Sequence, residues 1–252
     1  MMLIGQSLII NKKLIGISLA GLTGTVLVVL LFLQRISNFQ YWDNQHYMSF
    51  FLVLFFFLGM IYSSISFPAF RSKEKSISYL LLPASRSEKF VFEFLIRIVF
   101  FVLLVPAIFW LLANLEGAIV HRYVPRFINY KFSFGEAITE IVKKRNLDGW
   151  GMYAITQVFL FILIANFTGA CHFTKSTLIK TLFTISGITC GYILLILLLF
   201  KGLNLKVYNP TDAGIFFPRN NKEMITIFAL GATVVNLTLF AIAWFSFKEK
   251  EA

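Results

Sequence analysis

An all-α membrane protein with six transmembrane helices is the fold class this sequence predicts, on three observations. The chain has 252 residues, 58% of them hydrophobic, including 30 Phe. Charged residues make up 14%, against roughly 25% in soluble domains. The charges gather in short pieces between long apolar runs, six of which come near the roughly 20 residues that a helix needs to cross the hydrocarbon core. The net charge of +11 is scattered over those pieces rather than along one face. It points to anionic lipid headgroups and topology control, not to nucleic acid.

The first run, Leu14–Leu33, follows Asn11-Lys12-Lys13 and lacks a small-residue cleavage pattern, so it is expected to remain as a helix. Gly16, Ala20 and Gly24 recur at every fourth position in it, a stripe along which helix backbones can approach, within one bundle or between two protomers. The second run, Tyr47–Phe67, ends among Ser63, Ser64 and Ser66. The third, Phe92–Leu112, holds Glu93 and Arg97 four apart, a spacing at which each masks the other, and Pro106, which is expected to kink it. The fourth, Trp150–Cys171, contains Gln157 and Asn166. The fifth, Thr181–Phe200, repeats the small-residue spacing with Gly187 and Gly191, and the sixth, Met224–Phe247, contains Asn236. Polar residues at membrane depth need partners, so Ser63, Ser66, Gln157, Asn166 and Asn236 are expected to point inward, either bonding helix to helix or lining a path.

Two connections have structure of their own. In the long piece 114–149, "SFGEAITEIVKK" predicts a short amphipathic helix, with Ser133 and Glu136 at capping-box spacing and Phe134, Ile138, Ile141 and Val142 on one face. Between the fifth and sixth runs, Ala213–Phe217 is an apolar core too short to cross, broken by Pro210, Gly214 and Pro218. It predicts a re-entrant or interfacial turn.

With six crossings both termini share a side. That side collects eleven Lys and Arg, the shorter pieces opposite have five, and the long connection adds six. Short loops weigh most, which places both termini in the cytoplasm. Tyr41, Trp42, Trp110, Trp150 and Tyr153 would mark one interface and Trp244 the other.

Catalytic patterns are scarce. "GACHFTKS", Gly169–Ser176, misses the phosphate-loop pattern by Thr174 and follows a membrane run rather than a strand, so no nucleotide site of its own is expected. His46, His121 and His172 are dispersed, which gives neither an H-E-x-x-H pair nor a metal site. Cys171 and Cys190 sit in apolar surroundings and read as inert thiols. The chain is read as a non-enzyme.

The second connection is the most informative. It begins with a basic cluster at Arg71, Lys73 and Lys75, and Ser72 is placed to cap a short helix running to about Leu82, where Pro83 ends it. Ser85 and Glu88 then form a capping box that opens the third span. Tyr79 and Leu82 supply an apolar patch, and Lys73, Lys75, Arg86 and Lys89 supply charge at the cytoplasmic surface. "YLLLPASRSEKF", residues 79–90, resembles the L-P-x-S-x-x-E-K-[FY] signature of bacterial ABC-2-type membrane permeases, which lies between the second and third of six spans.

That resemblance covers about a dozen residues in motif and nearly the whole chain in architecture. It implies a permease subunit of an exporter in the inner (plasma) membrane, and a coupling helix, Ser72 to Lys89, held by a separately encoded P-loop ATPase. ATP and Mg would be bound by that partner, no cofactor by this chain, and a second permease chain, identical or sibling, would complete the path. The alternatives are a non-transport scaffold or immunity protein with a permease-like bundle, and an intramembrane lipid-modifying enzyme, which would need clustered ionisable residues.

Overall fold

The computed structural model describes residues 21, 23–36, 42–71, 85–123, 131–145, 148–202 and 221–250, and the regular structure among them is helical. Helix α1 spans Thr23–Ile36. It is followed by α2 (Asn44–Ser64), α3 (Arg86–Phe94), α4 (Phe100–Tyr123), α5 (Phe134–Arg145), α6 (Gly149–His172), α7 (Thr177–Gly202) and α8 (Asn221–Lys250). A 3-10 turn, Pro68–Arg71, leaves α2, and a π-helical turn, Leu95–Val99, joins α3 to α4 without a break.

Four helical stretches are long and apolar enough to cross a membrane: Asn44–Ser64, Arg86–Arg122, Gly149–His172 and Lys222–Lys250. They correspond to the second, third, fourth and sixth expected spans. Thr23–Ile36 and the Thr177–Gly191 part of α7 are shorter apolar helical stretches. The long helices are apolar on every side, so large side chains such as Phe57, Leu103 and Leu237 stay exposed on the isolated chain, the surface expected of a helix whose outer face meets hydrocarbon.

The third stretch differs from expectation in two ways. It continues past Leu112 to Tyr123, so the first part of the long connection is helix. The helix also runs through Pro106, and its irregularity is the wider turn at Leu95–Val99, where the Phe100 N–H reaches back to the Leu95 carbonyl.

The described chain divides into two compact units. The first holds Met1–Val53 and Leu103–Lys143. Its core is aromatic: Phe109 stands 5.1 Å from Phe51 and 5.6 Å from Phe132, and Phe134 meets Phe51 edge-on at 5.0 Å. The capping-box spacing of Ser133 and Glu136 is used through a third residue. Asn44 accepts the Ser133 N–H on Oδ1 at 3.1 Å and donates from Nδ2 to Glu136 at 3.0 Å, which ties α5 to the start of α2. The buried face of α5 is also offset from the expected one, because Ala137 is fully buried while Ile138 is exposed. Asp43 caps α2 by accepting the His46 N–H at 2.9 Å. Partial burial works to raise the Asp43 carboxyl, but its bonds to the His46 backbone and ring outweigh that and hold it below the ordinary value.

The second unit holds Leu54–Val102 and Lys144–Ala252. Here α6 packs on both α7 and α8, and it carries the most continuous run of buried residues, Leu163 to Cys171. Close approach depends on two glycines. A Cβ at Gly59 would stand 2.7 Å from Leu163 Cδ2, and one at Gly169 would overlap the Thr181 hydroxyl.

Candidate functional site

The base of the second connection is built where α2 ends and α3 begins. Ser63 Oγ donates to the Gly59 carbonyl at 2.6 Å and Ser66 Oγ to the Ser63 carbonyl at 2.7 Å, so these hydroxyls close the last turn of α2. Thr177 Oγ1 donates to the Ser64 carbonyl at 2.8 Å, which fixes the same end to the start of α7. Phe67 then turns the chain with φ at 53°, a left-handed conformation that costs roughly 1–2 kcal/mol for a residue with a side chain. Packing holds it there: its ring is buried 5.2 Å from both Phe167 and Phe247 and stacks on Phe70 and Phe90.

The chain returns at Ser85. Its Oγ accepts the Glu88 N–H at 3.3 Å while its own N–H donates to Glu88 Oε2 at 2.9 Å, the reciprocal box expected from the sequence. One turn later Phe90, also buried, meets Phe167, Phe240, Trp244 and Phe247, with ring centres 5.1 to 5.6 Å apart. An aromatic pad thus joins the two roots of the connection to the ends of α6 and α8. Lys250 closes its edge, donating to the His172 carbonyl at 3.1 Å and lying 5.6 Å over the Phe70 ring.

Of the expected partner-facing residues, Ser85, Arg86 and Glu88 are exposed. Lys89 is not: it is only 4% exposed, because it sits on the inner side of α3 beside Phe90. Its charge is therefore not offered at the surface in the way expected. Ser72, Lys73, Lys75, Tyr79, Leu82 and Pro83 lie outside the described residues.

The buried pair next to this base behaves as anticipated. Arg97 Nε stands 3.5 Å from Glu93 Oε2, both are largely buried, and the guanidinium lies 4.9 Å over the Tyr62 ring.

The other inward polar residues sit apart from the pad. Asn236 Nδ2 donates to Gln157 Oε1 at 2.8 Å and to its carbonyl at 3.1 Å, joining α8 to α6. Asn166 bonds its own helix, through the Ile162 carbonyl at 2.8 Å. Thr168, which the sequence did not single out, donates to the Leu239 carbonyl at 3.0 Å and makes a second α6–α8 tie. Gly24, Gly187 and Gly191 have nothing within 4 Å of where a Cβ would stand, so among the described residues no neighbour packs on them. Gly16 and Ala20 lie outside the described residues, as does the segment Ala213–Phe217.

Sequence reasoning missed Gly59, Gly169 and the aromatic pad. A phenylalanine in an apolar run carries no mark of which phenylalanines it will meet. No family model, curated protein or solved structure matches the chain.

Proposed function

We propose that the chain is the membrane-embedded subunit of an ABC-2-type exporter, with both termini in the cytoplasm and segment 72–89 docking into a separate P-loop ATPase. In this reading α7, with 26 residues and therefore about 39 Å long, and the helix containing Thr23–Ile36 cross the bilayer beside the four long stretches. Segment 203–220 would be the outer re-entrant or interfacial turn. A second permease chain would cover the open small-residue face of Gly187 and Gly191, and ATP and Mg would be bound by the partner ATPase.

The observation that carries the reading is the pad. Both roots of the connection are embedded in rings that also hold α6 and α8, and close-packed rings transmit a displacement rather than absorb it. A push on the connection would reach at least four helices and, through Glu93 and Arg97, the π-helical turn.

The test is capture of the tagged chain from its own membrane, with identification of what accompanies it. A P-loop ATPase should be recovered, and Lys73→Glu, Lys75→Glu and Arg86→Glu together should cut its recovery about tenfold, near 1.4 kcal/mol, while membrane insertion is unchanged. Equal recovery with the variant, or no ATPase with the wild type, would remove the coupling role. A second reading, a non-transport scaffold or immunity protein, draws on Ser63, Ser66, Asn166, Gln157 and Asn236 bonding within or between helices. Capture without an ATPase would favour it.

A further inference from the structure

An acid at the far end of α4 takes no part in that reading. Glu116 and Tyr47 are both buried, and the Tyr47 hydroxyl donates to Glu116 Oε2 at 2.7 Å. Gln34 Nε2 donates to the same hydroxyl at 3.2 Å, so the one proton of Tyr47 is committed to the acid. Glu116 Oε1 has no hydrogen-bond partner. The described charged and titratable groups on the surrounding elements are Arg35 on α1, Asp43 and His46 at the start of α2, His121 and Arg122 at the end of α4, Lys131 before α5, and Glu136, Glu140, Lys143 and Lys144 within it, of which Arg122, Glu140, Lys143 and Lys144 are exposed. Asp43 and His46 pair with each other and Glu136 is bound by Asn44. Among the described residues Tyr47 is the one hydrogen-bond or ion-pair partner of Glu116.

An ionised carboxylate in such a place loses hydration worth several kcal/mol and receives one neutral donor in return. A metal ion would offset that loss only with several oxygen ligands around it, and among the described residues no three His, Cys, Asp or Glu side chains converge. A proton needs no further ligand, and a neutral acid keeps its carbonyl oxygen as the acceptor for Tyr47. We propose that Glu116 is a proton-binding site, occupied at neutral pH, and that loss of the proton draws water into this corner of the first unit. The inference is independent of any transport role.

Dicyclohexylcarbodiimide, an apolar reagent that adds to protonated carboxyl groups, tests it on the full-length protein in nanodiscs. The acid proton moves to one reagent nitrogen, the carboxyl oxygen bonds the central carbon, and the acyl group then migrates to nitrogen, a net addition without a leaving group. Peptide mass spectrometry should find the adduct at Glu116 at neutral pH, less of it as pH rises, and none at that position in Glu116→Gln. Infrared spectroscopy should show a carboxylic-acid carbonyl band that is absent from Glu116→Gln and shifts to higher frequency in Tyr47→Phe, which deletes the donor but keeps the ring. The Tyr47→Phe arm stands even if Glu116→Gln fails to fold. No adduct at Glu116 and no Tyr47-sensitive acid band at neutral pH would overturn the proposal.

Discussion

Gly169 and Thr181 occupy one space between α6 and α7, and the hydroxyl side of Thr181 fills what a side chain at 169 would need. Gly169→Ala is expected to destabilise the protein by about 1–3 kcal/mol, the usual cost of overpacking a close contact. Adding Thr181→Ala should restore part of that loss, because it removes the overlapping hydroxyl and methyl and leaves only the Cβ of residue 181, at 2.8 Å. Gly187→Ala, in open space among the described residues, should stay within about 0.5 kcal/mol in the detergent-solubilised monomer. Thermal unfolding of the four proteins checks all three statements, and an equal loss at 169 and 187 would contradict them. The four-residue glycine spacing was visible in the sequence, yet it singled out 187 and 191. Spacing shows that a backbone is bare on one side; it does not show whether a neighbour stands there.

Helix α5 depends on a residue ninety positions away in the chain rather than on its own cap alone. Asn44 accepts from Ser133 and donates to Glu136, so Asn44→Ala removes two bonds worth together about 1–3 kcal/mol. Amide exchange across Phe134–Arg145 should then quicken roughly 5–150-fold, with little change in α6. Unchanged exchange in α5 would mean that its aromatic contacts hold it without Asn44. The helix itself was legible from apolar spacing and from the Ser133 and Glu136 pair. Its anchor was not, because a hydrogen bond between distant segments leaves no local pattern. The start of α3 is the opposite case: Ser85 and Glu88 are three residues apart, and the box they were expected to form is the one observed.

Within each unit the contacts gather one set of helix ends. In the second unit the end of α2, the start of α3, the end of α6, the start of α7 and the end of α8 meet around the pad, and those are the ends that charge counting assigns to the cytoplasm. In the first unit the ends of α1 and α4 and the starts of α2 and α5 meet around Tyr47 and Asn44, the ends assigned to the outer face. In a chain with Cys171 and Cys190 replaced, Lys144→Cys should react with a membrane-impermeant maleimide on intact cells, and Lys175→Cys only after permeabilisation. Labelling of both from outside would overturn the orientation. The sequence by itself determined the helical membrane class, the positions of the four long helices, the Ser85 cap and the Glu93–Arg97 pair, since each rests on composition or on residues within one turn. Only the tertiary structure decided that Lys89 is buried, that Phe67 is held in a strained turn, that Gly59 and Gly169 are the close-packing glycines and that Glu116 lies sealed against Tyr47. Those depend on which distant surfaces come together, and in a chain this uniformly apolar many pairings look alike until packing selects one.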